Sequence, residues 1–199
     1  MTAEYQIHPV TPDRWDDFLD LFGPTGAHSN CWCTWWVLTN RDWEEAGSVG
    51  RRAVIERLVA DGSVPGLLAY DGDTPVGWVS VGPRDRYARM MSPRSRAFKP
   101  LDEEPSWVIN CFYIHRDRRG AGVATALLEA AVAFAADRGA ARIDGHPKDT
   151  GLKTISNSDL FVGSLEMFLA AGFTEVERRN GRPVVRLEVG SPSGSLGAP

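Results

Sequence analysis

Cysteine is scarce, with Cys31, Cys33 and Cys111 the only three in 199 residues. The odd count, and the closeness of the first two, argue against a disulfide framework and fit a reducing compartment. Around Cys31-x-Cys33 there is no second thiol pair and no paired histidine, with His28 the sole close nitrogen, so local ligands for zinc are too few and no metal is expected. No run approaches the ~18 apolar residues of a membrane span, and residues 1–10 carry neither the basic start nor the apolar stretch of a leader. The expectation is a cytoplasmic chain with no membrane partner. Positive charge is not in excess either: 22 Lys and Arg stand against 26 Asp and Glu, a net charge of −4. That balance lacks the electrostatic footprint of a nucleic-acid binder. Internal repeats are also missing.

What is present suits one domain over residues 1–189, followed by a Gly/Ser/Pro-rich tail, 190–199, expected to lack structure. A fold of this size buries roughly 70% of its unfolded surface, so it needs no covalent staples. Residues 5–8 read as a first strand. Thr11 and Pro12 then open a helix carrying Trp15, Phe18, Leu19 and Phe22 on one face. Residues 51–60 show helical spacing. Two β-prone runs, 66–70 and 75–81, flank the turn Asp71-Gly72-Asp73-Thr74 and predict an antiparallel hairpin. Residues 83–106 read as a long basic loop with some helix, its Arg84 to Lys99 run forming a solvated face, with a contact to ligand phosphates or an acidic acceptor as the alternative. A strand over 107–114, a glycine turn and an alanine-rich helix ending before Gly139 follow. Next come a strand over 141–145, a helix over 160–171, and two strands, 173–178 and 183–189, around the hairpin signal Asn180-Gly181.

The most informative stretch is Arg118-Arg119-Gly120-Ala121-Gly122-Val123-Ala124-Thr125, between a strand and a long helix. A helix N-terminus presents unpaired N–H groups and roughly half a unit of positive charge, which favours phosphate oxygens. Gly120 and Gly122 remove side chains that would hold a pyrophosphate off that backbone. A glycine-rich turn with no ligand is the plainer alternative for the motif taken alone.

The order strand, Arg-Arg-Gly-Ala-Gly turn, long helix, strand, helix ending Ala171-Gly172-Phe173 and closing hairpin resembles the GNAT superfamily of acetyl-coenzyme A dependent N-acetyltransferases. Cys111-Phe112-Tyr113-Ile114 followed by Asp117-Arg118-Arg119-Gly120-Ala121-Gly122 is similar to that family's donor-binding motif. Pro65 to Tyr70, Val76 to Val79 and Arg182 to Arg186 look like a bacterial branch of it. The resemblance implies an α/β fold with a mixed, mostly antiparallel, V-shaped sheet and helices on both faces. It implies a transferase that moves acetyl from acetyl-CoA, with no metal, to a small-molecule amine or a peptide or protein amine by direct attack in a ternary complex, and leaves a homodimer open. The amides of Arg118, Arg119, Gly120, Ala121, Gly122, Val123, Ala124 and Thr125 would hold the pyrophosphate. The backbone of Phe112, Tyr113 and Ile114 would pair with pantetheine, and the Phe112 N–H would face the acetyl oxygen as an oxyanion donor.

Three residues depart from the family pattern. Asp117 stands where Gln or Arg is usual, Val108 where several members carry a Glu base, and Phe168 where a Tyr commonly protonates the leaving thiolate. Replacement proton carriers are Asn110, expected to share a strand face with Val108 and Phe112, and His146, ranked first because an ordinary imidazole accepts a proton near neutrality. Asp144 and Glu104 are further candidates. Trp32, Trp35 and Trp36 can wall an acceptor pocket or fill the core. Cys111 reads as inert packing. A dinucleotide-binding oxidoreductase is a weaker reading, since Thr125 replaces the third Gly or Ala and too few helices follow. A non-catalytic coenzyme A binding module or sensor is the alternative that Val108 and Phe168 suggest.

Overall fold

In the computed structural model, which describes residues 5–151 and 159–190, alternating apolar side chains build a seven-stranded sheet covered on both faces. Strand β1 is Gln6–Pro9, β2 Gly66–Asp71, β3 Thr74–Pro83, β4 Trp107–Ile114, β5 Arg142–Gly145, β6 Thr174–Arg179 and β7 Arg182–Glu188. Their order is β1-β2-β3-β4-β5-β7-β6. Every pairing is antiparallel except β4 with β5. The fold class expected from the sequence is the one observed. The tail beyond residue 190 lies outside the described residues.

Period-two alternation decides which residue meets which helix. On one face Leu67, Ala69, Val79 and Val81 pack with Leu127, Leu128 and Ala131 of α4, Val123–Ala136, and with Phe168 of α5, Leu165–Ala170. On the other, Leu68, Tyr70 and Trp78 pack with Phe18, Leu21 and Phe22 of α1, Trp15–Phe22, and with Ile55 and Val59 of α2, Asn40–Ala60. Because both faces are covered, β2 and β3 read as nearly unbroken apolar runs. Gly77 lets α4 sit close, since a Cβ there would come within 2.6 Å of Val123 Cγ1.

Three local readings need correction. Helix α2 begins eleven residues before the expected start at 51, capped by Thr39, whose hydroxyl accepts from the Asp42 N–H. Helical phasing is lost at Gly47, where φ is 57°, so one apolar stripe does not run through it. The expected helix over 160–171 divides into a short turn, residues 159–162, and α5, with Gly163 at φ 81° between them and Ser164 as the new cap. The loop 83–106 holds a four-residue helix, α3, Ala88–Met91, and its arginines are not all solvated: Arg84 and Arg89 are buried.

Candidate active site

The site grows from an irregularity in β4. Val79 pairs with Phe112, yet Val81 pairs with Ile109, so Ser80 alone faces both Asn110 and Cys111. This bulge breaks alternation. Ile109 and Phe112, three apart, both enter the α4-side core, while Val108 and Cys111 pack together on the opposite side. The expectation that Asn110 shares a face with both Val108 and Phe112 is therefore overturned.

On its other edge β4 meets β5 only at Trp107↔Ile143 and Val108↔Asp144. Beyond Val108 the strands part and the sheet opens into a V. From there the chain past β5 is tied instead to residues 163–165, through Lys148 N–H to the Gly163 carbonyl at 2.9 Å and Leu165 N–H to the Lys148 carbonyl at 2.8 Å. A cavity of about 1100 Å³ lies against the opened edge.

Phe112, Tyr113, Ile114, Arg118, Arg119, Gly120, Gly122, Val123, Ala124 and Thr125 all line that cavity. Ala121 does not: its N–H donates to the Arg118 carbonyl at 3.4 Å, and its carbonyl accepts from the Tyr5 hydroxyl at 3.1 Å. Gly120 and Gly122 have φ of 76° and 85°, and a Cβ on either would meet no protein atom within 4 Å. The left-handed turn thus opens onto free space. The first bond into α4 runs from Ala126 N–H to the Gly122 carbonyl at 3.1 Å, leaving the N–H groups of Val123, Ala124 and Thr125 ahead of the helical ladder. Such a donor set, with Arg118 and Arg119 beside it, fits a pyrophosphate. Asp117 lies off the cavity and pairs with His115 at 3.7 Å and Arg116 at 3.5 Å, so its carboxylate does not oppose phosphates there.

The proposed proton carriers sit elsewhere. Asn110 and His146 are each 2% exposed, and neither lines the cavity. Among the described residues, the side-chain N and O atoms of both take no hydrogen-bond partner. Burial, reinforced by Arg84, pushes the His146 pKa down to about 3, so the ordinary titration that favoured it is lost. Asp144 is fully buried, held by Arg84 and Arg186 at 2.7 Å each. Burial alone would raise its pKa, but the hydrogen bonds from Arg186 and Arg84 outweigh that and hold it low. Glu104 faces solvent beside Arg142 at 3.7 Å. Val108 and Phe168 are both core, the latter edge-on to Phe112 and Phe173.

The far wall comes from the segment after α1. Cys31, Cys33 and Cys111 all reach the cavity as free thiols. The Trp78 indole N–H donates to Cys33 Sγ at 2.8 Å. Contact with Cys33 and then burial push the Cys111 thiol well up, and burial raises Cys31, which disfavours the nucleophilic thiolate. Of the three tryptophans weighed, Trp35 lines the cavity; Trp32 and Trp36 are buried core. Trp43, Phe161 and Ser164 line it too and escaped the sequence reading. The Thr39-x-x-Asp42 cap pattern would have placed Trp43 on a helix, and Ser164 before Leu165-Glu166 is a cap signal that apolar periodicity hid.

The chain aligns at TM-score 0.57 and 19% identity with a histone acetyltransferase HPA2 and related acetyltransferase from Corynebacterium glutamicum, covering 95% of this chain and 98% of that one. The NatC complex bound to Gag peptide and CoA aligns at 0.51 and 14%, covering 94% and 99%. The GNAT domain of S. lividans PAT aligns at 0.51 and 17%, covering 93% and 90%. At these identities the likeness speaks for the fold alone. Comparison with the curated proteins returns no match. The model of the acetyltransferase (GNAT) family matches residues 28–151, more than half of the chain and the whole of the strand, bend and helix around the cavity. A match of that extent, on a sheet that parts where this one does, means that the chain belongs to the GNAT family of acetyltransferases.

Proposed function

We propose that this acyltransferase moves an acetyl group from acetyl-CoA to a primary amine by direct attack in a ternary complex. The observation that carries the reading is the convergence of the β4 edge and the free amides of α4 on one cavity. Arg118, Arg119, Gly120 and the first turn of α4 hold the donor's pyrophosphate; Ala121 serves by its carbonyl bond to Tyr5, which pins the bend. Phe112, Tyr113 and Ile114 offer backbone to the pantetheine arm. The Phe112 N–H stabilises the oxyanion that forms when the amine attacks the thioester carbonyl, where a preorganised donor counts most. Asn110 and His146 stay neutral and buried behind the cleft and do not serve as a base, and the proton leaves the amine through water. The acceptor, small molecule or peptide, enters from the side of Trp35 and Trp43.

Calorimetry with acetyl-CoA, joined to thiol release over a panel of amines, tests this. Saturable donor binding with acceptor-dependent thiol release is expected. Tight donor binding with no release across the panel would favour the sensor reading. No binding at millimolar donor would end both.

A further inference from the structure

The cavity has two chemically distinct ends. Around α4 it offers amides and arginines suited to phosphate; around Trp35, Trp43, Phe22 and Tyr113 it is aromatic. Among the described residues that line it there is no Asp or Glu. An ammonium acceptor would therefore find no carboxylate to pair with among the described lining residues. Trp35 and Trp43 meet edge to face, with ring centroids 5.1 Å apart, and each is covered by an arginine of the chain itself. The Arg51 guanidinium carbon sits 3.2 Å from the Trp43 ring centroid, and that of Arg89 sits 3.7 Å from the Trp35 centroid.

Both arginines are less than 10% exposed. Their side chains donate to backbone carbonyls, Arg51 to Trp43 and Ser29, Arg89 to Trp35 and Thr39, and neither forms an ion pair among the described residues. Two positive charges thus stand behind the wall with no carboxylate within ion-pair distance among the described residues; the charge of Glu44 acts on Arg89 only from farther off. They oppose a third cation brought up to the same rings. One face of each tryptophan is already taken by the cation–π contact that an ammonium would seek. His28, the imidazole on this wall, is engaged with the Ser29 hydroxyl at 3.0 Å.

Resting on the acetyl-transfer reading above, we propose that the acceptor is an aromatic amine, its nitrogen borne directly on a ring and uncharged at neutral pH. Its ring packs against the Trp35–Trp43 wall. The nitrogen lone pair attacks the thioester carbonyl carbon, the C–N bond forms, and the C–S bond breaks with its electron pair left on sulfur. The proton lost from nitrogen ends on that sulfur, so the products are an N-aryl acetamide and the free coenzyme thiol. An amine that arrives without an ammonium proton has no need of a carboxylate base, which matches a described lining that lacks one.

The test uses the full chain, acetyl-CoA, and three acceptors: 4-methylaniline, the nearly isosteric benzylamine, and spermidine. Thiol release and product mass are followed at neutral pH. The expected kcat/KM for 4-methylaniline exceeds that for benzylamine at least tenfold and that for spermidine at least a hundredfold. Equal or better turnover of either cationic amine overturns the proposal while leaving acetyl transfer intact; donor binding without amide from any of the three would count against the transfer reading itself. Ser29→Asp supplies an independent check. Ser29 is an exposed cavity residue with φ 58°, a left-handed position that Asp tolerates, so the variant should fold. It is expected to shift the benzylamine to 4-methylaniline ratio at least tenfold toward benzylamine, and an unchanged ratio would remove the electrostatic basis of the inference.

Discussion

Side chains whose identity looked catalytic turn out to be decided by burial. His146 illustrates the sign. In the unfolded chain its imidazole takes up a proton below about pH 6.5, whereas in the fold it stays neutral until about pH 3. Between those values the unfolded state binds more protons, so stability rises with pH and is lost as pH falls through that window. Replacing His146 by Phe should flatten urea-midpoint profiles between about pH 6.5 and pH 3, by up to about 1.4 kcal/mol per pH unit. Asp144 carries the opposite kind of charge in a comparably buried place. Asp144→Asn leaves Arg84 and Arg186 buried beside a neutral amide, and a loss of about 3–5 kcal/mol in denaturant unfolding is expected. Phe168 lies four residues before Gly172, where the family commonly has its tyrosine, yet it is fully buried and off the cavity. Phe168→Tyr should thus cost about 1–3 kcal/mol for an unpartnered hydroxyl and bring no gain in kcat.

At the scale of elements, the bend into α4 separates conformational need from ligand need. Gly122 and Gly139 bound the same helix with φ of 85° and 79°, but only Gly122 lines the cavity. Gly122→Val should strain the backbone and also project methyls toward the donor, weakening acetyl-CoA at least tenfold by calorimetry. Gly139→Ala should lower the thermal midpoint through the same backbone strain and leave donor affinity unchanged. Equal donor affinities in parent and Gly122→Val would mean that the cradle lies elsewhere. Elements with one clear period were readable in advance: β4 has the bounds expected, and Asn180 and Gly181, at φ 51° and 78°, make the tight hairpin their dipeptide signals. Helix α2 was half missed, because Gly47 interrupts its phase and the caps that mark its start are polar rather than apolar. The bulge in β4 was invisible, since no residue type marks where Ser80 will face two partners.

For the whole molecule, the cleft depends on how far two strands stay paired. The Asp144 carboxylate, bound to Arg84 from the long loop and Arg186 from β7, ties that loop and the β5–β7 half of the sheet together just behind the point where β4 departs. Donor bound across the opened edge should stabilise the fold by linkage: at one hundred times its dissociation constant, acetyl-CoA is expected to add about 2.7 kcal/mol. A thermal midpoint that fails to rise with donor concentration would contradict binding to the native cleft.

Local chemistry was enough to determine the strand–bend–helix and its amides, because backbone donors at a helix start depend on nearby residues alone. The hairpins β2–β3 and β6–β7 were likewise implicit in their turn residues, while the mixed sheet with helices on both faces was implied by the family resemblance. Which polar side chains would be silent was not, for burial is a property of what packs from distant segments: Arg84 to Asp144 spans 60 residues, and Arg51 and Arg89 meet Trp43 and Trp35 only across folded chain. The tertiary structure alone set the charge behind the aromatic wall, the feature on which the proposal of an aromatic amine rests.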